Sequence, residues 1–542
     1  MNQNYLFLLL FVLAISLGCQ SQPPYKQPLF THADTLRGSL TPGRAWWDLL
    51  HYTIELTPDY ERKFITGTNQ IRFRVLTSAN TMQIDLQEPM IIRDIQWKGK
   101  QLNWTREGNV FFIHFPQNLK EGNIETIKIS FEGNPLIAKR PPWQGGWIFT
   151  QDKLGRPWMT VTCEGLGASV WLPCKDWLGD EPDLGDSMSI TVPDTLVAVA
   201  NGRLKNTVRS GHTSTYTWVV VNPINNYNMI PYIGKYVTWH KDYKGLNGNL
   251  DCDYWVLDYN LSIAKQQFKA VDSMLKCFEF WMGPYPFYAD GYKLVESPHL
   301  GMEHQSAVAY GNKFREGYAG RDLSSSGWGL KWDFIIVHES GHEWFGNNIT
   351  AKDLADEWIH ESFTNYTETL YTECYFGKDA ANAYNLGIRK NIENKEPIIG
   401  FYGVNRGPEG TDEYYKGGNL LHTIRQVINN DSLFRELWMG LNKTFYHKTV
   451  TAKQIEDYFS QKANFDFAPV FEQYLKTTQI PVLEYNMQGN EIKYRWTNCV
   501  KGFNLPAKVN GQWIRPSEEW KSMKADKFDV DQNLYIYTRK SG

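Results

Sequence analysis

Apolar and polar residues alternate along the first part of the chain. Tyr52–Leu56, Ile71–Val75, Met82–Leu86 and Ile127–Phe131 each place every second residue on one face, with turn residues between them. A period of two predicts half-buried strands, so residues from about Asp48 to about Tyr236 read as an antiparallel sheet domain with one wet face. Near His240–Gly248 the pattern changes to mixed helix. Ser262–Trp281 has helical spacing and stops at Gly283-Pro284. Trp332, Ile335 and Ile336 then form the apolar face of a helix that enters Val337–Asn347, and Gly346-Asn347-Asn348 reads as its stop. A second long helix runs through Tyr366, Leu370 and Tyr375, with Asp353 as a candidate N-cap and Gly377 as a candidate stop. No proline lies between His299 and Glu396, so both helices are permitted. Asp412–Ile428 and Asp431–Leu475 read as further helices, the latter with a capping box at Thr451–Gln454. After Pro481 the pattern to Gly542 is β again, as in Ile492–Trp496. The class is multidomain α+β.

Composition narrows the classes without choosing one. The 542 residues allow about two to four domains. A net charge of -3 gives neither a nucleic-acid footprint nor a polybasic membrane patch. The 21 Trp and 30 Tyr suit a β-rich chain with a carved surface better than a disordered one.

Candidate chemistry sits in His338-Glu339-Ser340-Gly341-His342, an H-E-x-x-H pattern. On a helix, His338 and His342 lie one turn apart on one face and can share a metal ion. Glu339 stands beside them, where it can take a proton from an activated water. Zinc needs a third protein ligand. Glu361 is the candidate, with 18 residues between it and His342, inside Asp356–Thr364. Glu368 lies seven residues further along the same helix face. It is a candidate to hold a ligand imidazole by its other nitrogen, against a solvated surface acid.

H-E-x-x-H-x-W-F-G-N followed by W-[LI]-x-E-x-F resembles the zinc aminopeptidase family of aminopeptidase N and leukotriene hydrolase (peptidase family M1, gluzincins). The resemblance covers about Asp48–Leu483 well and the tail loosely. It implies a saddle-shaped N-terminal β domain over 46–240, whose start resembles Leu50-His51-Tyr52 and Gly67-Thr68. A thermolysin-like α/β zinc domain over 241–480 and a small C-terminal β domain over 481–542 follow. It implies one Zn²⁺ per chain on His338, His342 and Glu361, with Glu339 as general base. It implies that Glu164, in Val161-Thr162-Cys163-Glu164, binds the free α-amino group of a peptide. Gly283-Pro284-Tyr285-Pro286-Phe287 resembles a segment that precedes the family's exopeptidase signature. That signature, usually G-A-M-E-N, stands here as Leu300-Gly301-Met302-Glu303-His304. Gly301 and Met302 would lie beside the substrate as backbone, and Glu303 would cap its ammonium. The departures at Leu300, Gly301 and His304 bear on the pocket for the first side chain. The family's Y-x-K-G falls on Tyr414-Tyr415-Lys416-Gly417. It implies Tyr414 as hydrogen-bond donor to the oxyanion, Tyr415 being the competitor by position.

The expected activity is hydrolysis of the N-terminal peptide bond of peptides with a free N-terminus. Alternatives are a zinc endopeptidase, an epoxide hydrolase and a non-catalytic peptide-binding protein. Leu6–Leu17 has the length of a signal h-region, and Ser16-Leu17-Gly18-Cys19 resembles a bacterial lipobox. Ser16 departs from the usual larger aliphatic residue, and Met1–Tyr5 carries no Lys or Arg. The expectation is a lipoprotein-type signal over 1–19, a lipid anchor at Cys19, a polar tether over 20–45, and export to the periplasm or outer membrane. Ordinary signal cleavage and a retained anchor are the alternatives. Cys163, Cys174, Cys252, Cys277, Cys374 and Cys499 form no C-x-x-C pair and are expected mostly as free buried thiols.

Overall fold

The computed structural model describes residues 28–407 and 410–541; the signal segment and Cys19 lie outside them. The first domain is built on a hairpin of Trp47–Asp59 and Phe64–Val75. Leu49, Tyr52, Ile54 and Leu56 point inward from the first strand, and Ile65, Ile71, Phe73 and Val75 from the second. This hairpin sits inside an eight-stranded sheet. Every pairing in that sheet is antiparallel except one: Asp186–Pro193 runs parallel to Trp47–Asp59. Between these two strands the chain passes through four further strands of this sheet and through the domain's smaller sheets. Trp47, Phe73, Trp147 and Trp171 fill the core between the sheets.

Residues 28–45, within the stretch read as a tether, fold against the first domain. His32–Leu36 is a short helix with a capping box at Thr31 and Asp34, and Pro42–Ala45 is another. The Arg44 guanidinium is wholly buried and donates to Asp85 Oδ2 at 2.5 Å and to Ser39 O at 2.6 Å. A buried guanidinium left unpaired would be strongly destabilising, so this pair fixes the strap to the sheet. A polar composition concealed it.

The second domain begins one strand earlier than the change of pattern suggested. Tyr236–Gly245 runs across residue 240 and pairs with Gly248–Leu257 in a five-stranded sheet. Its charged middle, His240-Lys241-Asp242, breaks the alternation and hides the strand. Gly301–Met302 forms the edge of this sheet, antiparallel to Val308–Tyr310. Ala270–Met282 and Phe334–Gly341 pack on the sheet, Trp358–Phe376 packs on these two helices, and Asp412–Ile428 packs on Trp358–Phe376.

Two cysteines correct the expectation of free thiols. Cys277 and Cys374 form a disulfide between the helices Ala270–Met282 and Trp358–Phe376. Cys163, Cys174 and Cys252 are buried free thiols, and Cys499 is half-buried. The C-terminal strands, Val482–Gln488 and Glu491–Thr497 with Lys521–Lys524 and Tyr537–Lys540, form a four-stranded sheet. Leu483, Trp496, Leu534 and Tyr535 from this region share one continuous core with the helices. Among the described residues no helix is long and apolar enough to cross a membrane.

Candidate metal centre and substrate cleft

Asp333 caps the motif helix, its Oδ1 accepting from Ile335 and Ile336 N–H. Apolar Ile335, Ile336 and Val337 bury that helix, which ends at Gly341, with His342 as its C-cap. The chain then widens into a turn closed by i→i+5 hydrogen bonds from Asn347 N–H to His342 O and from Asn348 N–H to Glu343 O, and Phe345 and Gly346 leave helical geometry, Gly346 with φ of 115°. The stop read at Gly346-Asn347 thus begins a few residues earlier. The turn matters to the site, because it aims Phe345 O at His342 Nδ1, 3.0 Å away. His338 Nδ1 is held by Glu368 Oε1 at 2.8 Å. Glu368 is itself pinned by Asn365 Nδ2 at 3.1 Å and by the Tyr384 hydroxyl at 2.6 Å. With both Nδ1 atoms occupied as donors, both Nε2 atoms are left as acceptors facing the cleft.

The two Nε2 atoms converge on one oxygen. Glu361 Oε2 lies 3.6 Å from His338 Nε2 and 3.4 Å from His342 Nε2. That oxygen is buried without a hydrogen-bond partner. Ligands about 2.1 Å from a tetrahedral centre stand roughly 3.4 Å apart, so the spacing and the orphaned oxygen both fit Zn²⁺. His338, Glu339 and His342 also bring ligand atoms within 4.8 Å of one another. Glu361 is the better third ligand, because it touches both imidazoles and has no other use for its oxygen.

Glu339 is buried beside the pair. Burial pushes its carboxyl up to about 7, against the opposing pull of His338 and His342. It lies against the edge strand: a Cβ on Gly301 would stand 2.5 Å from Glu339 Oε1. Tyr414 stacks on His338 with ring centroids 6.0 Å apart. Its phenol is held far above the ordinary range by burial and then by Glu361, so it stays a donor. The Tyr415 phenol is raised by burial and then by the charge of Glu368, with no contribution from Glu361. The structure therefore separates the two tyrosines that the sequence left as competitors.

One end of the cleft is crowded with acids. Glu303 Oε1 accepts from the Tyr227 hydroxyl at 2.9 Å, and Asn347 Nδ2 holds Glu303 O at 2.8 Å. Met302, next to it, is buried in the edge strand. Glu164 lies in hydrogen-bonding contact with Glu303, and burial followed by the charge of Glu303 raises its carboxyl well above the usual range. Three residues here were not picked out from the sequence. Glu357 contacts Glu164 and is pushed up to about 8 by burial and then by Glu361. Its signal was available, because it lies one helical turn before Glu361. Glu413 is buried at the start of the Tyr414 helix. Tyr227, in an Asn-rich turn, carried no signal.

The Peptidase family M1 domain matches residues 270–474, and the Peptidase M1 N-terminal domain matches residues 49–227. A probable aminopeptidase 2 of Sulfurisphaera tokodaii is 21% identical over 495 residues, covering 85% of this chain and 59% of that protein. The leukotriene A-4 hydrolase of Xenopus laevis is 21% identical, covering 77% of this chain and 69% of that one. This chain spans 59% and 54% of the lengths of two archaeal aminopeptidases that it matches. Among solved structures, an M1 zinc metallopeptidase from Deinococcus radiodurans, bound to a Tyr-Ser-Ala substrate, superposes with a TM-score of 0.69. It is 19% identical and covers 83% of this chain and 98% of that one. The likeness is one of fold.

Proposed function

The chain belongs to peptidase family M1, and from that premise we propose that it is a zinc aminopeptidase removing the first residue of peptides with a free N-terminus. The observation that carries the reading is the convergence of His338 Nε2, His342 Nε2 and the unpartnered Glu361 Oε2 beside an acid-lined end of the cleft. His338, His342 and Glu361 would hold the ion. Zinc bound there supplies Lewis acidity that polarises the scissile carbonyl and acidifies a water. Glu339 takes the proton of the attacking water and passes it to the leaving amine. Tyr414 donates its hydroxyl proton in a hydrogen bond to the oxygen that gains charge. Glu303 and Glu164 accept from the substrate's α-ammonium, which sets the first peptide bond at the metal. Gly301 and Met302 offer the free backbone edge of the sheet as an added-strand template for the peptide. Glu368 fixes the His338 ring and so acts through it.

The test is a panel of unblocked aminoacyl amides, each paired with its N-acetylated twin, with and without chelator. Chelator-sensitive cleavage of the unblocked members alone is the expected result. Cleavage of the blocked twins would make the site an endopeptidase. No cleavage of either, with stoichiometric zinc bound, would favour epoxide opening or peptide binding without turnover. Glu339→Gln should keep zinc and lose turnover; full activity in that variant sinks the assignment.

The lipobox-like Ser16–Cys19 supports export and a lipid anchor at Cys19, with the enzyme in the periplasm or outer membrane. Metabolic labelling with palmitate that disappears in Cys19→Ala would bear this out, and an unlabelled mature protein would refute it.

A further inference from the structure

The acid-lined end of the cleft holds more carboxyl groups than a peptide N-terminus needs. Glu164, Glu303, Glu357 and Glu413 gather there, beyond the metal ligand Glu361. Glu164 is in hydrogen-bonding contact with both Glu303 and Glu357. An α-ammonium carries one positive charge and three donors, which Glu303 and Glu164 can satisfy. Glu357 and Glu413 remain.

Glu413 supplies the independent observation. It is 9% exposed, and its Oε2 is buried with no hydrogen-bond partner. After burial itself, the charges that bear on it most are those of Glu357 and then Glu361, which places the carboxyl near these two acids. The cation nearest in sequence does not serve it: Lys416 Nζ is buried and donates to Thr477 O at 2.7 Å. Glu413 opens the Tyr414 helix, and its backbone carbonyl accepts from Ser362 Oγ at 2.6 Å. Its backbone is thereby anchored at the seam between the two helices that carry Glu361 and Tyr414. Glu357 stands one turn before Glu361, ~6 Å along the helix axis, which is the scale of an extended lysine or arginine side chain. A buried carboxylate facing other carboxylates is tolerated when a cation completes the group.

We propose that Glu357 and Glu413 form the pocket for the side chain of the substrate's first residue, and that the pocket takes a positively charged one, an N-terminal arginine or lysine. This rests on the aminopeptidase reading and names its substrate class. The α-ammonium occupies Glu303 and Glu164, and the guanidinium or second ammonium occupies Glu357 and Glu413. A basic first residue then gives Glu357 and Glu413 the cationic partner that no side chain named above supplies.

The test compares arginyl amide with citrullinyl amide, which has the same shape without the charge, on the zinc-loaded full chain. The arginyl amide should be favoured in kcat/KM by about 10-fold or more, as expected for charge pairing in a desolvated pocket. Glu413→Gln and Glu357→Gln should each bring that ratio down toward one. A wild-type ratio near one overturns the proposal, and so does a ratio that neither variant changes. A second zinc per chain, lost in Glu413→Gln, would give the acids to a metal and also overturn it. If Glu413→Gln does not fold, the wild-type pair of amides decides alone. If neither amide is cleaved, the aminopeptidase reading falls separately. Calorimetry with free L-arginine against L-citrulline then decides the pocket: tighter arginine binding supports it, and equal binding overturns it.

Discussion

Gly417 tests whether the contact between two helices sets the catalytic geometry. Trp358–Phe376 carries Glu361, and Asp412–Ile428 carries Tyr414. They meet where Gly417 lies on Ser362, the residue after Glu361. A Cβ on residue 417 would stand 1.7 Å from Ser362 Oγ, 2.5 Å from Ser362 Cβ and 3.4 Å from Ser362 Cα. Rotating the hydroxyl relieves the first contact and leaves the second. Carbon atoms rest about 3.5–4.0 Å apart, so Gly417→Ala demands a separation of the helices by roughly 1 Å. Such overpacking costs about 1–3 kcal/mol. It also moves Tyr414 away from the metal ligands, and a 1 Å misplacement lowers turnover about 10²-fold. The assay is kcat and KM on an unblocked amide, with zinc content and a thermal melt on the same preparation. Zinc should be retained, since His338, His342 and Glu361 stay on their own helices. Ser362→Gly in the Gly417→Ala background removes the opposing Cβ and should restore most of the lost rate. Ser362→Ala keeps that Cβ and should restore little. A Gly417→Ala variant with turnover within about twofold of the parent and an unmoved melt would refute the reasoning.

Glu368→Gln replaces the carboxylate that holds His338 Nδ1 and should weaken zinc binding about 10–100-fold, read by chelator competition; unchanged affinity would remove its role. Tyr414→Phe should lower kcat about 10²–10³-fold with zinc retained, whereas Tyr415→Phe, which removes a hydroxyl that Glu361 does not bear on, should cost far less, and equal losses would reopen the choice between them. Asp186 is buried, its Oδ2 has no partner, and burial pushes it up to about 8. Unfolded, it titrates near 3.9. Between those values the folded chain keeps a proton that the unfolded chain has lost, so stability falls as pH rises from about 4 to 8, by up to roughly 1.4 kcal/mol per pH unit. Asp186→Asn should flatten the drop in melting temperature between pH 5 and pH 8, and an unaltered drop would assign it elsewhere.

The metal ligands were legible because helices turn sequence spacing into geometry. His338 and His342 share a face wherever the helix forms, and Glu368 follows Glu361 by two turns. The strap was not legible, because Arg44 reads as a polar residue until Asp85 is seen beside it. Cys277 and Cys374 are 97 residues apart and carry no spacing signal. Glu357 and Glu413 were passed over for a different reason. Acids at helix starts are common, since they offset the positive end of the helix dipole. Only the folded structure brings these two starts to one cleft and shows that Glu413 Oε2 has no partner.

The cleft also depends on residues far from the metal helices. Glu164 comes from the first domain, Glu303 from the edge strand, and Glu357 and Glu413 from two helix starts. Nothing along the chain keeps these four in register, so the register has to come from contacts between the parts. The strap supplies several. Arg37 Nη2 donates to Leu166 O at 2.5 Å and to Asp176 Oδ2 at 3.2 Å, and Gln87 Nε2 donates to the same Leu166 carbonyl at 2.6 Å. Leu166 is two residues after Glu164. On its other side the strap meets the second domain, where Asn405 N–H donates to Asp34 O at 2.9 Å and Phe30 packs edge-on against Phe401. The strap therefore holds the segment carrying Glu164 against the loop that precedes the Glu413 helix. Loosening it should raise KM for unblocked substrates more than it lowers kcat, because it misplaces the ammonium acceptor and leaves Glu339 and Tyr414 where they are.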